Sequence, residues 1–114
     1  MKALEISGHA WQSFGFDHYQ TLTWPEYDVC RAPLENANFD VIIAEHVWEH
    51  LLWPHRASQN VWQMLRPGGY FLVMTPFLVR IHEFPHDCSR WTEVGLKHLL
   101  AEAGFGMDDI VTGS

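Results

Sequence analysis

The stretch FDVIIAEHVWEH, residues 39–50, decides how the rest of the chain is read. Its first seven residues form a nearly continuous apolar run. A strand that is apolar on both faces belongs in the middle of a parallel sheet with helices on either side. The last six residues contain the pattern H-x-x-E-H, with His46, Glu49 and His50 in the positions of a zinc-protease signature. That signature works from deep within a helix, where imidazoles one turn apart reach one metal and a third ligand comes from elsewhere. Here the first His falls at a strand exit, and only Val47 to Leu52 can turn helical before Pro54. No metal site is expected from these residues. Ligands of open parallel sheets bind outside the carboxyl ends of the strands, so Glu45 and His46 should face a crevice.

Working outward, KALEIS (2–7) reads as a strand closed by Gly8, and YQTLTW (19–24) as a second strand stopped by Pro25. YFLVMTPF (70–77) is another apolar strand. Ala57, Val61, Met64 and Leu65 share one helical face, and RPGG (66–69) ends that helix, with Gly68 and Gly69 turning the chain into the next strand. TEVGLKHLLAEAGF (92–105) is an amphipathic helix with Thr92 as N-cap, Leu96, Leu99 and Leu100 on one face, and Gly104 at its end. DDIVTGS (108–114) looks like the start of a strand. The order predicts a single α/β domain over 1–114, with a mostly parallel sheet of about five strands flanked by helices.

The chain has 114 residues, 47% of them hydrophobic, enough for one core. Seven Lys and Arg against fourteen Asp and Glu give a net charge of −7, which argues against a surface that tracks the phosphates of a nucleic acid. No window approaches the roughly 18 apolar residues of a membrane span, and the N-terminus lacks the pattern of a signal peptide. Cys30 and Cys88 have no CxxC spacing and suit a reducing compartment as free thiols. A cytoplasmic protein is expected. The six Trp residues mainly pack in core and lid, with one or two available to stack on a ligand.

The order ALEISG, FDVIIAEHVWEHLLWP, MLRPGGYFLVMTPF and HEFPHDCSRWTEVGLKHLLAEAGF resembles the class I S-adenosylmethionine-dependent methyltransferases, in the subgroup related to type 11 methyltransferase domains. The resemblance covers most of the chain. Its most specific parts are F-D…E-H-V-x-E-H…L-x-P-G-G and P-F…H…P-x-D…R-W-T…G-L. It implies a Rossmann-like core that binds S-adenosylmethionine at the carboxyl ends of the strands, with EHVWEH as the loop lining the methionine end.

Position by position, the resemblance places Ser7, Gly8 and His9 at the family's Gly-rich cofactor loop, where only Gly8 keeps the glycine. Glu5 either contacts the cofactor or bonds the NH groups of that loop. After the second strand, where the family has a ribose-binding carboxylate, this chain has Thr23, with Glu26 as a substitute. YDVCRAPL (27–34) resembles a shortened third strand and its exit loop, which makes Cys30 and Arg31 candidates to border the adenine. Glu45 and His46 complete the cofactor set.

HEFPHDCSRW (82–91) follows a strand exit and should lie over the crevice. His82 steered by Asp87 would make a base for the methyl acceptor. Alternatively, Asp87 and Arg90 form an ion pair that holds the segment in place. The expected activity is methyl transfer to a small-molecule acceptor. The alternatives are a methyltransferase-like binding module without catalysis, and a His-rich metal-binding protein. Relatives in the family carry a helix before the first strand and a final antiparallel pair of strands; here the first strand starts at residue 2 and the chain ends in IVTGS. A minimal form or a fragment is therefore expected, with open sheet edges and uncovered apolar surface. That leads to the expectation of a homo-oligomer, or of a partner that supplies the missing elements.

Overall fold

A computed structural model describes residues 1–78, 80–81 and 86–113. Four strands occur among them: β1 (Lys2–Ile6), β2 (His18–Leu22), β3 (Phe39–Glu45) and β4 (Leu65–Met74). They form one sheet in the order β2-β1-β3-β4, and every neighbouring pair is parallel. Helix α1 (Pro54–Met64) joins β3 to β4, and α2 (Glu93–Ala103) follows β4. The architecture is the Rossmann-like α/β fold expected, with four strands rather than about five. The reason is local. Residues 27–34, expected as a shortened strand, form turns, and the chain after α2 makes a 3₁₀ turn at Met107–Asp109 with no strand through residue 113.

The apolar run 39–45 takes the central place because β3 buries apolar residues on both faces along almost its whole length. Its neighbours fix the register: Ala3 lies beside Val41, which lies beside Tyr70, and Leu4 beside Ile42 beside Phe71. Side chains alternate along each strand, so the first row faces one side of the sheet and the second row the other. Leu4, Ile6, Ile42 and Ala44 pack with Ala57, Val61 and Met64 of α1 in the main apolar cluster. Burying a side chain the size of Ile42 contributes about 1.5–3 kcal/mol, so this cluster dominates the stability of the domain.

Both helices lie on that one face, not on either side as the buried strand had suggested. α1 opens with Pro54, whose missing NH costs nothing in a first turn. Trp48, fully buried on a short 3₁₀ turn before it, donates its indole NH to Ser58 Oγ at 3.0 Å. Thr92 caps α2 by accepting from the Gly95 NH at 3.1 Å. Gly104 ends α2 at φ 134°, and a Cβ there would stand 2.9 Å from the Trp62 ring, so only glycine lets the turn close against α1. RPGG lies inside the first part of β4, as an irregular excursion: Leu65 pairs with Phe39, and pairing resumes at Tyr70 with Val41. Gly68 has φ 80°, and a Cβ on Gly69 would press on three carbonyl oxygens at 3.0–3.1 Å.

The opposite face carries a small cluster of Ala3, Val41 and Ile43 under Trp11, Phe16 and Tyr19 from the β1–β2 connection and β2. Tyr70, Leu72 and Met74 of β4 belong to this face and remain exposed. No helix among the described residues is long and apolar enough to cross a membrane.

Candidate functional site

Parallel strands open their carboxyl ends in one direction, so the exits of β1, β2 and β3 share one end of the sheet. At the β1 exit Ser7 takes φ 56°, and its NH donates to Leu22 O at 2.7 Å. At the neighbouring β3 exit His46 takes φ 57°, with its NH donating to Met74 O at 2.8 Å. Left-handed backbone at a non-glycine residue costs free energy and persists only where its surroundings enforce it. Two such residues at adjacent exits mark this end of the sheet as the place where conformation is imposed.

Glu5 organises the loop after β1. Its carboxylate, nearly fully buried, accepts from Ala10 NH at 3.2 Å, Trp11 NH at 3.0 Å and Tyr19 OH at 2.6 Å. Burial, and then the bond to Glu5, raise the Tyr19 phenol well above its usual range. A Cβ on Gly8 would meet Glu5 Oε2 at 2.9 Å, which gives the glycine right after the β1 exit its reason. The Thr21 hydroxyl donates to Gly8 O, and the Trp11 indole NH donates to Glu45 Oε1 at 2.9 Å. The loop is thereby tied to β1, β2 and β3, with the Glu5 carboxylate bonded to two of its NH groups.

The remaining expected positions spread out from there. His9, Thr23, Glu26 and Arg31 are exposed, and Thr23 O accepts the Tyr27 NH at 3.1 Å. Cys30 is packed in the helix-side cluster, and burial raises its thiol above the usual range. Cys30 and Cys88 are both free. His82 lies outside the described residues. Asp87 binds the Arg90 guanidinium through both oxygens, at 2.6 and 3.0 Å, and this bond raises Arg90. Arg90 also donates to Arg80 O at 3.2 Å.

The structure joins two segments that were read separately in the sequence. Cys88 NH and Ser89 NH donate to Glu49 O at 2.8 and 3.1 Å, and His50 Nδ1 donates to His86 O at 2.5 Å. The segment 86–90 is therefore docked on EHVWEH. Glu49 is fully buried at the junction. Its Oε2 lies 3.8 Å from His46 Nδ1 and 3.7 Å from His50 Nε2. Among the described residues no group of three or more His, Cys, Asp or Glu is placed to hold a metal. Sequence reasoning missed two participants, Trp11 and Glu49. Nothing in a string shows that an acidic residue after a strand will be fully covered.

A family profile described as a methyltransferase domain matches residues 3–73, from β1 to the end of the β4 ladder. The chain belongs to the methyltransferase-domain family. A Mycolicibacterium smegmatis relative described as an S-adenosylmethionine-dependent methyltransferase is 31% identical over 88 residues, covering 72% of this chain and 34% of the relative. The solved complex of the Haloferax volcanii Trm112 methyltransferase activator with a methyltransferase contains a chain of the same fold, with a TM-score of 0.65 at 15% identity over 90% of this chain and 60% of that one. This methyltransferase domain spans about a third of the curated relative it matches.

Proposed function

We propose that this methyltransferase domain binds S-adenosylmethionine across the exits of β1, β2 and β3 and transfers its methyl group to a small-molecule acceptor. The observation that carries the reading is the pair of left-handed residues, Ser7 and His46, at adjacent strand exits, with segment 86–90 docked beside them. Bound there, the cofactor supplies an electrophilic methyl on a sulfonium. The loop held by Glu5 and Glu45 offers Ser7, Gly8 and His9 to its methionine part. Thr23, with Glu26 close by in sequence, faces the ribose, and Cys30 and Arg31 border the base. Asp87, held by Arg90, belongs to the acceptor side, as His82 does by its place in the sequence. Much of the rate of such a transfer comes from holding the acceptor in line and excluding water.

The net charge of −7 favours a small molecule over a nucleic acid as acceptor, and the free thiols suit the cytoplasm. Exposed Tyr70, Leu72 and Met74 on a face that bears no helix among the described residues support a homo-oligomer or a covering partner. The complex of the Haloferax volcanii methyltransferase with an activator protein is a precedent for the second. Calorimetric titration with S-adenosylhomocysteine tests the reading: saturable heat is expected, and its absence on well-folded protein would sink it. Binding without turnover against any acceptor would favour the second reading, a binding module, to which Ser7 and His9 on either side of Gly8 and the Thr at the ribose position point.

A further inference from the structure

The H-x-x-E-H residues hold no assigned chemistry beyond lining the crevice, and Glu49 is the anomaly among them. A fully buried carboxylate ordinarily accepts several hydrogen bonds, because burying it without them is costly. Neither Glu49 oxygen accepts one among the described residues. The groups facing it are His46, His50 and, at longer range, Arg90, whose charge it stabilises. His50 donates from Nδ1 to the His86 carbonyl, so in its neutral form Nε2 turns a lone pair, not a proton, toward Glu49. His46 presents Nδ1 to the same carboxylate oxygen at 3.8 Å, within ion-pair reach though short of a hydrogen bond, so a proton on Nδ1 is the one the buried charge favours. The His46 side chain is 61% exposed at the β3 exit, while Glu49 is 0% exposed behind it. An imidazole with Nδ1 toward a buried carboxylate has its Nε2 turned outward, toward the crevice.

We propose that His46 is the base that takes the acceptor's proton, and that Glu49 is the positioning residue that fixes the His46 imidazole in its Nδ1–H form. The inference rests on the methyl-transfer reading above. In the step, the acceptor oxygen or nitrogen attacks the sulfonium methyl and a new bond to carbon forms. The carbon–sulfur bond breaks with its electron pair left on sulfur, and the acceptor proton passes to His46 Nε2. The left-handed backbone of His46, anchored by its NH to Met74 O, holds the ring at the β3 exit. The arrangement uses the logic by which a buried carboxylate selects the tautomer of a catalytic histidine.

Long-range proton–nitrogen NMR of the native protein at alkaline pH tests this. His46 is expected with its proton on Nδ1, against the Nε2–H form usual for a free histidine side chain. Glu49→Gln should return it toward Nε2–H, and Glu49→Asp should retain part of the Nδ1–H population. If Glu49→Gln does not fold, the native tautomer alone decides. S-adenosylhomocysteine is expected to shift the His46 Nε2 resonance and to leave that of His98 on α2 unmoved. A native His46 protonated on Nε2, or one indifferent to S-adenosylhomocysteine that does bind, overturns the proposal while the cofactor reading stands. The Nδ1–H form in a protein that gives no heat with S-adenosylhomocysteine overturns the methyl-transfer reading, and the base role with it.

Discussion

The two faces of the sheet are built on different principles. On the helix side, Leu4, Ile42, Val61 and Met64 exclude water mainly with apolar surface. On the other side a loop without a helix covers three small or branched residues, and a single carboxylate, Glu5, ties that loop down. The first face is mainly apolar, its buried Ser58 hydroxyl paired with the Trp48 indole NH, and it carries the stability. The second puts its polar bonds at the exits, where a ligand could exchange for them. A domain of this size can give up half its cover only because β3 buries its apolar run from both sides, and the remaining surface is left to Tyr70, Leu72 and Met74.

That division can be broken by substitution. Ile42→Ala on the helix side should lower unfolding free energy by about 2–5 kcal/mol in urea denaturation, the range for truncating a large buried aliphatic residue. Glu5→Leu should cost about 1–3 kcal/mol, the penalty for polar groups left without partners. It should also make the chain between residues 7 and 17 the first site of limited proteolysis, with the helix side unchanged. A loss as large as that of Ile42→Ala would mean that the loop is part of the same cooperative core. Leu72→Glu, on exposed surface, should change stability by no more than about 0.5 kcal/mol, while sedimentation velocity should show loss of any oligomer that covers this face. The smallest effect concerns the thiols. The raised, buried Cys30 remains a thiol where the reactive thiolate is needed, so iodoacetamide at mildly alkaline pH should label exposed Cys88 well before Cys30. Equal rates would show that the helix side opens readily.

The sequence disclosed most where one force dominates. The continuous apolar run of β3 appears as a strand with the bounds expected, and Thr92 and Gly104 mark the ends of α2 through simple backbone needs. Less was legible where polar groups decide. YDVC reads as a strand by composition but forms turns, since Asp28 caps the Cys30 NH at 3.0 Å and Val29 and Cys30 pack into the core rather than alternate. The helix-free face was hidden because a strand buried on both sides does not reveal what buries it. At the site, EHVWEH was legible as a strand exit and His46 as a crevice residue by position. The docking of 86–90 on Glu49 was not, for it rests on a main-chain oxygen that every residue carries.

The all-parallel ladder also bears on how the chain reaches this state. β3 pairs with β1, far upstream, and with β4 beyond α1, and neither partnership can be made by a hairpin. Each must await the closure of a long loop, whose entropy is spent before any ladder bond returns it. During synthesis the most apolar segment of the molecule, residues 41–44, emerges well before α1 and β4 that will cover it. Until α1 and β4 pack against it, this exposed run is the part of the folding chain most open to aggregation.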